Sequence, residues 1–130
     1  ILIIIMSTEE ILKEFKNSLI SFIDELIDQF PYEGEIVITR VLINDQMSIK
    51  NVMDIFNFQL NRNEGKIKNM IKERNESYFT DNNLFNIEQE KLNRFKQLWY
   101  SNNLDEEDKI VVWKWVDSFV YFAEKYSKSI

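Results

Sequence analysis

Residues 7–30 read STEEILKEFKNSLISFIDELIDQF, and this stretch decides the fold. Ser7 and Glu10 form the S-x-x-E capping-box pattern that starts a helix. Behind them, Ile11, Leu12, Phe15, Leu19, Phe22, Ile23, Leu26, Ile27 and Phe30 are separated by steps of 1, 3 and 4. That helical period is held for about seven turns. Pro31 disfavours helical geometry at Phe30, and Gly34 lies just beyond, so the helix stops there. At 1.5 Å per residue it is roughly 35 Å long.

Working outward, the same period recurs. Glu35–Asn44 carries Ile36, Val37, Ile38, Val41, Leu42 and Ile43. Its β-branched content suits a strand. No partner strand is evident, and a lone strand leaves its backbone groups unpaired. The grouping 37-38-41-42 therefore predicts a short buried helix. Ser48 caps a third helix bearing Ile49, Val52, Met53, Phe56 and Leu60. A fourth, about Glu64–Glu76, has only Ile67, Met70 and Ile71 as apolar positions, so it belongs at the surface. Thr80–Asn83 reads as a loop by composition. A fifth helix, about Ile87–Tyr100 with Asn86 as cap, aligns Leu92, Phe95, Leu98 and Trp99. The sixth opens with Asp105, Glu106, Glu107 and Asp108, where the helix dipole favours negative charge, and closes near Lys125 and Lys128. The expectation is an all-α, single-domain bundle of five or six helices over residues 7–130, with the long first and last helices packed centrally.

Composition narrows the chemistry. The chain has 130 residues, 16 Lys+Arg against 22 Asp+Glu, and a net charge of −6. A hydrophobic fraction of 45% with 14% aromatics supports a packed core. With 0 Cys there is no thiolate nucleophile or zinc site, and with 0 His the commonest general base and metal ligand are missing. Only 2 Gly are present, too few for a phosphate-cradling loop. These counts favour a protein that is not an enzyme and uses no cofactor, metal or small-molecule substrate. Asp24 and Asp28 lie one turn apart beside Glu25, yet without a further ligand type they read as a solvated acidic face. Residues 1–6, Ile-Leu-Ile-Ile-Ile-Met, read as a non-native or flexible apolar extension ahead of a start at Met6. They are too short for a signal peptide or a membrane span.

Two surfaces carry the functional expectation. On a wheel of the last helix, Val112, Trp115, Val116, Phe119, Phe122, Ala123 and Tyr126 cluster, with Val111 on one flank and Val120 and Trp113 on the other. This apolar arc spans about 200°, where a surface helix needs about 100°. Ile20 and Ile27 widen the stripe of the first helix in the same way. The surplus predicts a protein partner or a second copy of the chain, with Trp113, Tyr121, Val120, Ile20 and Ile27 as contact residues. The alternative is nucleic-acid binding by Arg62, Lys66, Lys68, Lys72 and Arg74. With Glu64 and Glu73, they give residues 62–74 a local charge of +3.

Two stretches also carry a resemblance. Phe22-Ile23-Asp24-Glu25-Leu26-Ile27-Asp28-Gln29-Phe30-Pro31 resembles an F-x-x-D/E-L-I-x-x-F-P helix end. Val112-Trp113-Lys114-Trp115-Val116-Asp117-Ser118-Phe119-Val120 resembles a V/I-W-K-W/Y-hydrophobic C-terminal helix. In that order they resemble short helical proteins of large nucleocytoplasmic DNA viruses (giant viruses). In that pattern Pro often precedes Glu, whereas Tyr32 intervenes here before Glu33. The resemblance implies a minor virion or replication-compartment component, in the host cytoplasm or the virion, and brings no catalytic residues with it. The 18 Ile, 14 Asn and 12 Lys against a single Ala, Ala123, agree with an AT-rich gene.

Overall fold

A computed structural model describes residues 6–130, so the expectation for the apolar run 1–5 lies outside the described residues. Seven α-helices follow in order: α1 (Thr8–Gln29), α2 (Gly34–Val41), α3 (Ile49–Asn61), α4 (Lys66–Lys72), α5 (Glu76–Asp81), α6 (Gln89–Trp99) and α7 (Glu106–Ser129). A π-helical turn, Leu42–Gln46, extends α2, and a 3₁₀ turn, Arg62–Gly65, joins α3 to α4. Among the described residues there is no strand. The all-α bundle, with long first and last helices in contact, is the architecture observed.

The starts of α1 and α7 have local causes. The Ser7 hydroxyl accepts from the Glu10 N–H at 3.1 Å. At the start of α7 both halves of a capping box are made: the Asp108 N–H donates to Asp105 Oδ1 at 2.8 Å, and the Asp105 N–H to Asp108 Oδ2 at 3.1 Å. Together they satisfy two of the orphan N–H groups that every helix start exposes.

α1 and α7 run antiparallel, because opposite ends meet. Thr8 Oγ1 is 2.9 Å from Ser129 Oγ, Trp115 Nε1 donates to Glu25 at 2.7 Å midway, and Gln29 donates to the Asn103 carbonyl. Phe15, Phe22, Trp115 and Phe119 interlock between them, with Phe15 and Phe119 edge to face at 6.0 Å. α3 closes this layer through Phe56, stacked on Phe85 at 4.8 Å and on Phe15 at 6.1 Å.

A second aromatic cluster sits under the other side of α7. Phe79 of α5 lies 4.6 Å from Trp113 and 5.3 Å from Trp99, and Phe95 of α6 completes the group. α5 makes this possible and corrects the loop expected over Thr80–Asn83, since Thr80 and Asp81 are helical. The Asn75 side chain caps the helix by accepting from the Tyr78 N–H, and Thr80 Oγ1 returns to the Glu76 carbonyl at 3.0 Å. A buried hydroxyl is thereby satisfied inside the helix.

Asn86 does not cap α6. It adopts a left-handed conformation, φ 53°, while the Asn83 side chain bonds both the N–H and the carbonyl of Ile87. The helix therefore starts two residues later, with Glu88 as N-cap.

Candidate interaction surface

The structure moves the expected contact residues. Trp113 is 6% exposed, which corrects its assignment as a surface anchor. It faces α5 and α6 rather than solvent, and the Arg74 guanidinium covers its ring at 5.3 Å. Val120 is half-buried and packs on the core. Tyr121 is 51% exposed, with Lys125 Nζ 5.2 Å from its ring centre. Its neighbours on the same helical face are Lys114, Asp117 and Glu124, a mixed charged surface rather than an apolar one.

Ile20 and Ile27 are half-buried. They share a face of α1 with Lys16 and Asp24, and those two residues reach the α2 arm. Lys16 Nζ donates to the Asn44 carbonyl at 2.9 Å, and Arg40 pairs with Asp24 at 2.6 Å. The extra width of the α1 stripe is therefore explained by α2, which lies along it.

α2 itself departs from expectation. It is a helix, as the absence of a partner strand required, but it is not buried. Neither α2 nor its π turn contains a buried residue. The Ile36 side turns inward, and the opposite side presents Val37, Ile38 and Val41, with Met47 beyond the π turn, all between 43% and 50% exposed. Three of these share one helical stripe, at i, i+1 and i+4. From Gly34 to Met47 the arm runs about 20 Å, at 1.5 Å per residue. The sequence held the residues of this surface but not its orientation: the apolar pattern 37-38-41-42 marks a sticky face without saying whether the protein covers it.

The basic segment is dispersed. Arg74 holds Asp117 of α7 through two bonds of 2.7 and 2.6 Å, and each raises the guanidinium pKa further. Arg74 also terminates α4 in a left-handed conformation, φ 55°. Its N–H donates to the Ile71 carbonyl, and the Asn75 N–H to that of Met70. This is a Schellman end with Arg where Gly is usual. Lys68 lies 3.8 Å from Glu124. Among the described residues only Arg62, Lys66 and Lys72 of the five form no ion pair. Three exposed cations beside Glu64 make a thinner phosphate-binding surface than the sequence implied.

The acidic groups are used structurally. Asp24 serves Arg40, and Glu25 accepts from Trp115. Lys50 and the Tyr126 hydroxyl both donate to Asp54, at 2.7 and 2.6 Å, and hold its carboxyl below the usual range. Burial first, then the Asp54 bond, pushes the Tyr126 phenol up. Arg94 does to Glu33 what Lys50 does to Asp54. Among the described residues no cluster of three or more carboxylates could hold a metal, and no helix is long and apolar enough to cross a membrane. Two surface hollows are open to solvent. One, about 350 Å³, lies beside Asn57, Phe58 and Arg62. The other, about 330 Å³, lies between Pro31 and α6, where Glu33 and Arg94 neutralise each other. In the second, the Ser101 hydroxyl donates to the Leu98 carbonyl at 2.7 Å. No family model, curated protein or solved structure matches this chain.

Proposed function

We propose that this chain is a non-enzymatic, helical protein–protein interaction module that docks its partner on the outward face of α2. The observation that carries the reading is the pairing of two facts about one arm: α2 and its π turn bury none of their residues, yet α2 exposes Val37, Ile38 and Val41 together, and Met47, next after the π turn, is exposed as well. Four neighbouring large aliphatic side chains, each near half-exposed, cost solvation free energy unless something covers them. A minor virion component is the setting suggested by the Phe22–Pro31 and Val112–Val120 stretches. Detection of the protein in purified particles tests that setting separately.

The docking reading is tested by placing a photo-crosslinking amino acid at position 38 and, as a control, at Lys96 of α6, which pairs with Asp81 of α5. Specific protein adducts at position 38 and none at Lys96 are expected in cells expressing the chain. Equal labelling, or none at either position, overturns the docking reading.

A further inference from the structure

The formal charge of the chain is distributed unevenly, and the unevenness coincides with the apolar face of α2. Residues 7–47, which form α1, α2 and the π turn, hold 3 Lys+Arg against 9 Asp+Glu, a net −6. Residues 48–130 hold 13 of each and are neutral. The whole net charge thus resides on the α1–α2 hairpin. Glu35 and Asp45 lie on α2 and its π turn, before and after the stripe formed by Val37, Ile38 and Val41, and both are exposed. Asp28 is exposed on the neighbouring helix. Arg40, the one cation of the α2 arm, is engaged mainly by Asp24 on the α1 side, with the Asp45 charge a smaller second influence. Glu35 forms a long ion pair with Lys91 of α6, at 3.9 Å.

We propose that the α1–α2 hairpin seats a cationic amphipathic helix of a partner protein. The apolar side of that helix covers Val37, Ile38, Val41 and Met47, and its Lys or Arg residues meet Glu35, Asp45 and Asp28. This rests on the docking reading above and adds the chemistry of the partner. Three physical arguments select this occupant. An apolar stripe flanked by one sign of charge is complementary to a helix of the opposite sign, with apolar anchors at i, i+3 and i+4. A second copy of the chain would bring Glu35 and Asp45 against acids of the same sign, so like charge opposes self-pairing there. The face is also small: four side chains fall well short of the roughly 800 Å² per partner of a standard interface, whereas a helix laid on a face is anchored by a few side chains. An anionic membrane surface would be repelled for the same reason as a second copy.

The test uses the full chain and three labelled synthetic helices, read by fluorescence anisotropy. The first has a Leu face and a Lys face, the second a Leu face and a Glu face, and the third a Ser face and a Lys face. The Leu/Lys helix is expected to bind, with affinity falling as salt rises, and the other two to bind at least about tenfold more weakly, which is ~1.4 kcal/mol. I38Q/V41Q and, separately, Asp45→Lys should each weaken the Leu/Lys helix by a similar factor. None of these side chains is buried, so far-UV circular dichroism should show an unchanged fold. Equal binding of the Leu/Glu helix, indifference to the substitutions, or no binding of the Leu/Lys helix overturns the proposal. If position 38 still crosslinks a partner through a neutral or acidic segment, the docking surface stands and only the cationic partner falls.

Discussion

Trp113→Ala separates the two roles a tryptophan on α7 could have. At 6% exposure nearly all of the side chain is removed from water. Up to about 250 Å² of mostly apolar surface, at about 25 cal/mol per Å², gives an upper bound near 6 kcal/mol. Partial collapse of the site reduces this, and Trp→Ala substitutions in cores fall at about 3–5 kcal/mol. The lower half of that range is the more fitting, because α5 is a single short helix and Phe79 can relax toward the space left. Against that, two ring partners, Phe79 and Trp99, and the Arg74 guanidinium all lose a face, and each aromatic pair contributes roughly 0.5–1.5 kcal/mol. We expect a loss of about 3–4 kcal/mol, measured by urea denaturation with far-UV circular dichroism. With each kcal/mol shifting Tm by roughly 2–6 °C for a chain of this size, the thermal midpoint should fall by about 10–20 °C. Tyr121→Ala, on the exposed face of the same helix, should change stability by no more than about 0.5 kcal/mol. A Trp113→Ala protein within about 1 kcal/mol of the parent would refute the burial reasoning and return Trp113 to the surface.

Other perturbations test separate parts of the fold. Asn63, Glu64 and Gly65 are three successive residues with positive φ, and Glu64 at φ 59° is the least suited to it. Glu64→Gly should stabilise by about 0.5–1 kcal/mol in the same denaturation assay, whereas Gly65→Ala should cost about 1 kcal/mol by conformation alone, no atom lying within 4 Å of the added Cβ. Arg74→Ala removes the Asp117 pair and the cover of Trp113, and should cost about 1–2 kcal/mol, while Lys72→Ala should be neutral. The lowered Asp54 carboxyl contributes stability that is present above its unfolded pKa and is lost as pH falls through the folded value. Asp54→Asn should therefore flatten the acid limb of a stability–pH profile below about pH 4. The raised Tyr126 phenol has the opposite sign: its contribution is present below about pH 10 and is lost above it. Tyr126→Phe should flatten the alkaline limb.

Much of the fold was legible because it rests on local rules. Ser7, Ser48 and Asp105 each sit one residue before a helix, and Pro31 follows Phe30, the C-cap of the helix that Ser7 starts. These are interactions within one turn, and they survive without knowledge of the rest of the chain. The elements that sequence missed or shifted are those set by side chains several residues away. α5 has a cap, Asn75, as local as Ser7, but is held in place by Phe79 finding Trp99 and Trp113. The start of α6 depends on Asn83 bracketing Ile87. The contact residues fared less well for the same reason: a helical wheel fixes angles between side chains on one helix but not which neighbour stands at each angle.

Sequence by itself determined that this chain is helical, where its long helices begin and end, and that it has no His or Cys and only 2 Gly, the residues on which many catalytic and phosphate sites depend. Only the tertiary structure decided which apolar faces are spent inside. Trp113 is enclosed because α5 and α6 converge on one side of α7, and Ile20 and Ile27 are shielded because α2 lies along α1. Val37, Ile38 and Val41 remain outside because nothing among the described residues lies beyond α2 to cover them. Burial is a relation between elements distant in sequence, and periodicity within one element cannot report it.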